Sequence, residues 1–213
     1  RWGREQCGVF GVFLSSATEP FQPTERKLGV TRSVLSAMVD RPPDRVIVQT
    51  HSHRVLDAVD VLEALRDRCD LRVHLSIETD RERVHGMPPH ASSVARRIEA
   101  GQTLKARGVF TVATVSPLLP IERPDAFFQA LAGAFDAIVV DHYIGGDGSR
   151  DGARTRRTPL PVLMQAIEPA SVTRAYRDAM VDIARQYCDR VGVGQDGFAG
   201  RYLGMEAPGA ART

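Results

Sequence analysis

Short apolar runs alternate along the chain with stretches in which apolar residues recur every three or four positions. The runs are Gly8–Leu14 (GVFGVFL), Val46–Thr50 (VIVQT), Leu71–Ile77 (LRVHLSI), Val109–Val115 (VFTVATV) and Phe135–Val140 (FDAIVV). Their length and their β-branched and aromatic content predict strands. Helices are predicted over Glu25–Val39, Asp57–Cys69, Ala91–Arg107, Pro124–Phe135 and Ser171–Asp189. Within Asp57–Cys69 the period is carried by Val59, Leu62, Leu65 and Cys69, while Pro124-Asp125 suits a helix start and Gly108 a helix stop. Strands spaced by helices imply βαβ units and a parallel sheet, and their near-continuous apolar character implies cover on both faces. Five such strands are too few for a closed eight-stranded barrel. They suit an open, partial barrel or a short doubly wound sheet.

Composition changes this picture little. A chain of 213 residues, 43% hydrophobic and 25% charged, can bury the core of one ordinary to large domain. A net charge of +2, with no segment concentrating the basic residues, is too mild to argue for nucleic acid as a partner. The densest basic stretch, Arg150 to Arg157, lies in a glycine-rich loop and reads as solvated surface. Cys7, Cys69 and Cys188 lack CxxC spacing, so they define neither a disulfide framework nor a zinc site, and a reducing cytoplasm is the default location. No apolar run approaches the ~18 residues of a membrane span. The chain begins at Arg1 and enters an apolar run almost at once, as a piece of a longer protein would. Residues 1–204 are expected to form one domain and 205–213 a disordered tail.

Chemistry is sought beyond the carboxyl ends of the strands, where parallel α/β folds bind their ligands. Those ends read Ser15-Ser-Ala-Thr-Glu19, Thr50-His-Ser-His53, Ser76-Ile-Glu-Thr-Asp80, Ser116-Pro-Leu-Leu-Pro120 and Asp141-His-Tyr143. All five are polar, mostly with small hydroxyls, which favours a pocket for a small polar molecule. GxGxxG, GxxxxGK followed by Ser or Thr, and GxSxG are all absent, which removes support for the common nucleotide-binding loops and for a serine nucleophile. His51 and His53, one residue apart at a strand end, can face the same side. Together with Asp141, His142 or Glu78 they would suit a barrel metal-dependent hydrolase; as a lone feature, HxH is more often ordinary hydrogen-bonded histidine.

The strand ends also resemble a known family. TEPFQPTERKLGVTRSVL (18–35) is similar to the T-D-P-Y-Q-P-x-E segment and following T-R of radical SAM proteins of the spore photoproduct lyase-like group. VIVQTHSHRVLDAVDVL resembles that family's third strand and its T-K-S stretch, and LRVHLSIETDRERVHGMPPHASSVARRIEAGQTLKARG its fourth strand and next helix. VFTVATVSPLLP resembles the fifth strand with its P-x-x-P ending. The likeness spans roughly residues 9–140. It implies a partial (β/α)6 TIM-like barrel of radical SAM type, here lacking the first βα unit, that binds S-adenosylmethionine (SAM) beside a 4Fe–4S cluster. When its iron–sulfur loop is present, such an enzyme cleaves SAM reductively to a 5′-deoxyadenosyl radical, with flavodoxin or ferredoxin as reductant.

By the same resemblance, Ser15, Ser16, Thr18 and Glu19 would accept hydrogen bonds from the SAM ammonium. His51 and Ser52 fall in the T-K-S stretch, His51 where a lysine usually faces the SAM carboxylate. Ser76 and Glu78 would lie near the ribose, and Val115 and Pro117 beside the adenine. The sequence departs from the family in having no CxxxCxxC, so cluster ligands are expected upstream and the chain alone is expected to perform no radical chemistry. The remaining alternative is a non-catalytic, degenerate barrel.

Overall fold

The computed structural model describes residues 5–6, 8–15 and 18–203. Ser16, Cys7 and the expected tail therefore lie outside the described residues. Six strands are found among these: β1 (Gly11–Leu14), β2 (Arg45–Thr50), β3 (Asp70–Ser76), β4 (Phe110–Val115), β5 (Ala137–Val140) and β6 (Val191–Val193). They form one parallel sheet in the order β1-β2-β3-β4-β5-β6. Sequential order means that every crossover steps the chain one strand onward in the same direction. That is the winding of a (β/α) barrel wall, whereas a doubly wound sheet reverses partway. The partial barrel, not the doubly wound alternative, is the fold.

The chain divides into two compact units, residues 1–76 with 90–112, and residues 77–89 with 113–213. In the first, β1 pairs with β2 in the register Gly11↔Arg45 to Leu14↔Val48, and β2 with β3 from Arg45↔Asp70 to Thr50↔Leu75. Val46, Val48, Val73 and Leu75 are fully buried, as a sheet covered on both faces requires. β1 departs from that expectation. It is the edge strand of the sheet, and Phe13 is 41% exposed.

The helix expected over Glu25–Val39 is two: α1 (Glu25–Leu28) and α2 (Val30–Asp40). Gly29 separates them at φ 64, a left-handed value that only glycine adopts cheaply, and its N–H closes α1 on the Glu25 carbonyl at 2.8 Å. The helix expected from Asp57 starts instead as a 3₁₀ turn, His53–Ala58, before α3 (Val59–Arg66). Leu62 and Leu65 of α3 are fully buried, each contributing about 1.5–3 kcal/mol. α4 (Val94–Ala106) is capped by Ser93, whose hydroxyl accepts from the Arg96 N–H at 3.3 Å.

In the second unit, β5 pairs with β6 from Ile138↔Val191 to Val140↔Val193. β6 is absent from the sequence-based expectation because three residues, Gly192 at their centre and Gly194 directly after them, carry too short an apolar signal. The glycines have a packing reason: a Cβ on Gly192 would collide with the backbone of Gly197 in α8 (Gly194–Phe198), so the two segments meet at backbone distance. α5 (Pro124–Ala134) buries Phe127, Phe128 and Leu131. α6 (Leu160–Ile167), not expected from the sequence, adds Met164 to a cluster with Val84, Leu119, Tyr143 and Ile144. α7 (Arg174–Tyr187) is capped by Thr173 and buries Tyr176, whose hydroxyl accepts from the Ile121 N–H at 2.9 Å. No helix among the described residues is long and apolar enough to cross a membrane.

Candidate functional site

At the carboxyl end of β1 in the first unit, the backbone turns through Ser15 at φ 82 and brings Glu19 against the end of β2. The Ser15 hydroxyl donates to the Thr18 carbonyl, which holds the turn. The Glu19 carboxylate then collects donors. Oε1 accepts from the Phe21 N–H at 2.9 Å and from the Thr50 hydroxyl, and Oε2 accepts from the His51 N–H at 2.7 Å. The His51 ring stands 3.6 Å away, half-exposed. Burial pushes the Glu19 carboxyl up, but these hydrogen bonds from His51, Thr50 and Phe21 outweigh it, and the net effect is a lowered pKa.

Two backbone N–H groups, the Thr50 hydroxyl and the His51 side chain thus all act on one carboxylate. Thr50 links this group to the next turn, since its hydroxyl also accepts from the Ser52 N–H at 2.9 Å. The Ser52 hydroxyl in turn accepts from the Arg54 N–H at 3.2 Å and caps the 3₁₀ turn. The unit thus brings together Ser15, Thr18, Glu19, Thr50 and His51. Ser76 is fully buried; its hydroxyl accepts from the Gln49 amide at 3.1 Å and its carbonyl from buried Arg97.

His53 has a different partner from His51. Its Nδ1 lies 2.7 Å from the Ser92 hydroxyl, which also accepts the His53 N–H at 3.1 Å. Desolvation, then the charges of Arg96 and Arg54, hold its pKa below the usual histidine value. Ser92 was invisible to sequence reading because it lies 39 positions away. Among the described residues, no three His, Cys, Asp or Glu side chains come together as a metal site.

The second unit holds the other expected residues. Val115 is fully buried, and its carbonyl accepts from the Asp141 N–H at 3.0 Å. Glu78 is 7% exposed, and its carbonyl accepts from the Leu119 N–H at 3.0 Å. Pro117 lines a cavity of about 230 Å³ with Ser116, Asp141 and Tyr143. His142 is locked as a neutral ring: Nδ1 accepts from the Ile144 N–H at 3.1 Å, so Nε2 carries the proton donated to the Ser171 carbonyl at 2.8 Å. Burial holds its pKa down. Asp141 behaves oppositely to Glu19. Burial raises its pKa, and the Ser116 hydroxyl, at a long 3.3 Å, offsets little of that.

Asp147 was also missed. Its carboxylate accepts from the Ser149 N–H at 2.9 Å and the Thr155 N–H at 2.8 Å, pinning the loop that carries the arginines of 150–157. The Asp-Gly-Ser triplet at 147–149 is the turn signal that could have located it.

No family model matches the chain, and no curated protein matches it significantly. Solved structures do. A mutant spore photoproduct lyase with bound AdoMet and dinucleoside spore photoproduct is 13% identical, at a TM-score of 0.60 over 90% of this chain. Spore photoproduct lyase complexed with dinucleoside spore photoproduct matches equally, and another mutant of the lyase reaches a TM-score of 0.61. At such identities the likeness establishes the fold, which is the one the sequence resemblance implies. The chain spans 63% of the length of these structures.

Proposed function

We propose that this chain is the SAM-binding part of a radical SAM enzyme. The observation that carries the reading is the shared fold over 90% of the chain, with a hydroxyl- and carboxylate-lined strand end where the sequence resemblance expects the SAM ammonium. Glu19 suits that role chemically: it is a carboxylate with a lowered pKa, held in place by donors from Phe21, Thr50 and His51. Ser15, Ser16 and Thr18 belong to the same stretch, with Ser52 beside it. His51 would face the SAM carboxylate as a donor, with full charge only when protonated. Ser76, Glu78, Val115 and Pro117 remain assigned to the nucleoside part by resemblance.

The cysteines of this sequence do not suit a 4Fe–4S cluster. The sequence holds three cysteines and no CxxxCxxC. In this reading the ligands come from residues upstream, and the radical chemistry, its reductant and its substrate belong to the whole protein. What this chain's residues do is bind and orient the cofactor's amino-acid end.

The test is calorimetric titration of SAM into the protein. Saturable binding that is lost in Glu19→Ala is expected. His51→Lys, which places a permanent cation there, is expected to tighten binding several-fold at pH 8, where histidine is neutral. Absence of SAM binding to an intact version that carries the cluster loop, reconstituted with iron and sulfide, would end the proposal.

A further inference from the structure

Along β2, Val46, Val48 and Thr50 alternate onto one face, and all three are fully buried. The place of Thr50 therefore suits valine, which has the same branched shape with a methyl instead of the hydroxyl. A polar atom closing a buried apolar row is the informative exception. Such a hydroxyl needs partners, and Thr50 has two.

Those partners give the hydroxyl a direction. It has one proton to donate and lone pairs with which to accept. The Ser52 N–H, 2.9 Å away, can only donate, so it occupies a lone pair of Oγ1. The ionised Glu19 carboxylate can only accept, so the Thr50 proton points at Oε1. Ser52 is itself buried and held by the Arg54 N–H on its own hydroxyl at 3.2 Å. The Phe21 N–H grips Oε1 from the turn that carries Glu19, and the His51 N–H grips Oε2 from the end of β2. Both of those donors are backbone. Thr50 is the fully buried side chain that ties the carboxylate to β2, whereas the His51 ring, 3.6 Å from Oε2, is half-exposed.

We propose that Thr50 is the positioning residue of this site: it aims the Glu19 carboxylate at the ammonium of the bound cofactor without touching the cofactor. The last torsion of a glutamate side chain is broad, so hydrogen bonds have to set the plane of its carboxylate. Without the Thr50 hydroxyl, Oε1 keeps only the Phe21 N–H from its own turn and the carboxylate is free to swing. An ammonium is then met at a poorer angle, while the nucleoside part of the ligand is unaffected. This role rests on the SAM-binding reading and deepens it, adding a residue that none of the strand-end assignments includes.

Two ligands separate positioning from mere support: SAM, and 5′-methylthioadenosine, which keeps the nucleoside but has no ammonium. Both are titrated into an intact version that carries the cluster loop, as the parent, Thr50→Val and Thr50→Ser. Thr50→Val is expected to weaken SAM about tenfold, the equivalent of one hydrogen bond to a charged group, and to leave methylthioadenosine unchanged. Thr50→Ser keeps the hydroxyl and should behave as the parent with both ligands. Equal weakening of the two ligands in Thr50→Val would mean a purely structural threonine and overturn the proposal, as would unchanged SAM affinity. A second measurement needs no ligand. Carbon NMR of the Glu19 carboxyl should show its pKa rising by about one pH unit in Thr50→Val, because the charged form loses a donor, and staying put in Thr50→Ser. An unmoved pKa in folded Thr50→Val also overturns the proposal. Failure of the SAM-binding reading looks different: the parent itself then binds no SAM, and the role of Thr50 falls with it.

Discussion

Glu19 and Asp141 both follow a strand and are both largely removed from water, yet their surroundings push them in opposite directions. Glu19 is surrounded by donors: two backbone N–H groups and the Thr50 hydroxyl point at its oxygens, and its pKa falls despite burial. At Asp141 burial prevails over the Ser116 hydroxyl at 3.3 Å, the His142 N–H and the charge of Arg177, and its pKa rises. The first carboxylate binds one strand end to the next. Whether a strand-end carboxylate gains or loses acidity is thus set by how many donors the fold aims at it.

The strongest way to sharpen that contrast is an isosteric pair. Glu19→Gln turns one acceptor oxygen into an NH2 facing existing donors, and is expected to cost about 2 kcal/mol in urea unfolding. Asp141→Asn removes a poorly solvated charge and should stay within about 0.5 kcal/mol of the parent. If the two lose equally, the contrast is wrong. Thr50→Val, which breaks the link from Glu19 to the Ser52 N–H, is expected to cost about 1.5 kcal/mol by the same measurement.

The pH dependence should differ in sign. Glu19, with its folded pKa depressed, contributes stability that is present above its ordinary value of 4.5 and is lost as pH falls through the folded value. Asp141, with its folded pKa raised, contributes most below its ordinary value of 3.8 and loses that contribution as pH rises through the folded value. Melting curves between pH 3 and pH 8 (roughly the range the two groups titrate over) should therefore show Glu19→Gln flattening the acid side and Asp141→Asn removing a decline toward neutrality. The smallest effect is expected for His51→Ala. Its side chain is 49% exposed and 3.6 Å from Glu19, so the loss should stay below about 0.5 kcal/mol and shrink further in salt.

Much of the fold was readable from apolar patterning. The runs at 46–50, 71–77, 109–115 and 135–140 correspond to β2 to β5, because short runs rich in β-branched residues favour strands. What escaped was either short or broken by glycine. β6 has three residues, and its glycines serve a backbone contact that no periodicity records. Gly29 split one expected helix because a single left-handed residue outweighs a continuous apolar period.

At the strand ends the residue types were legible and their employment was not. That Ser15, Thr18, Glu19 and His51 are polar and follow strands is a local fact, written in the chain. That Glu19 meets Thr50 across 31 positions, that His53 turns to Ser92 across 39, and that the Tyr143 hydroxyl finds no hydrogen-bond partner among the described residues are long-range facts. Hydrogen bonds act over about 3 Å, so which groups satisfy one another depends on how strands and loops are brought together, and neighbours in sequence carry no record of it.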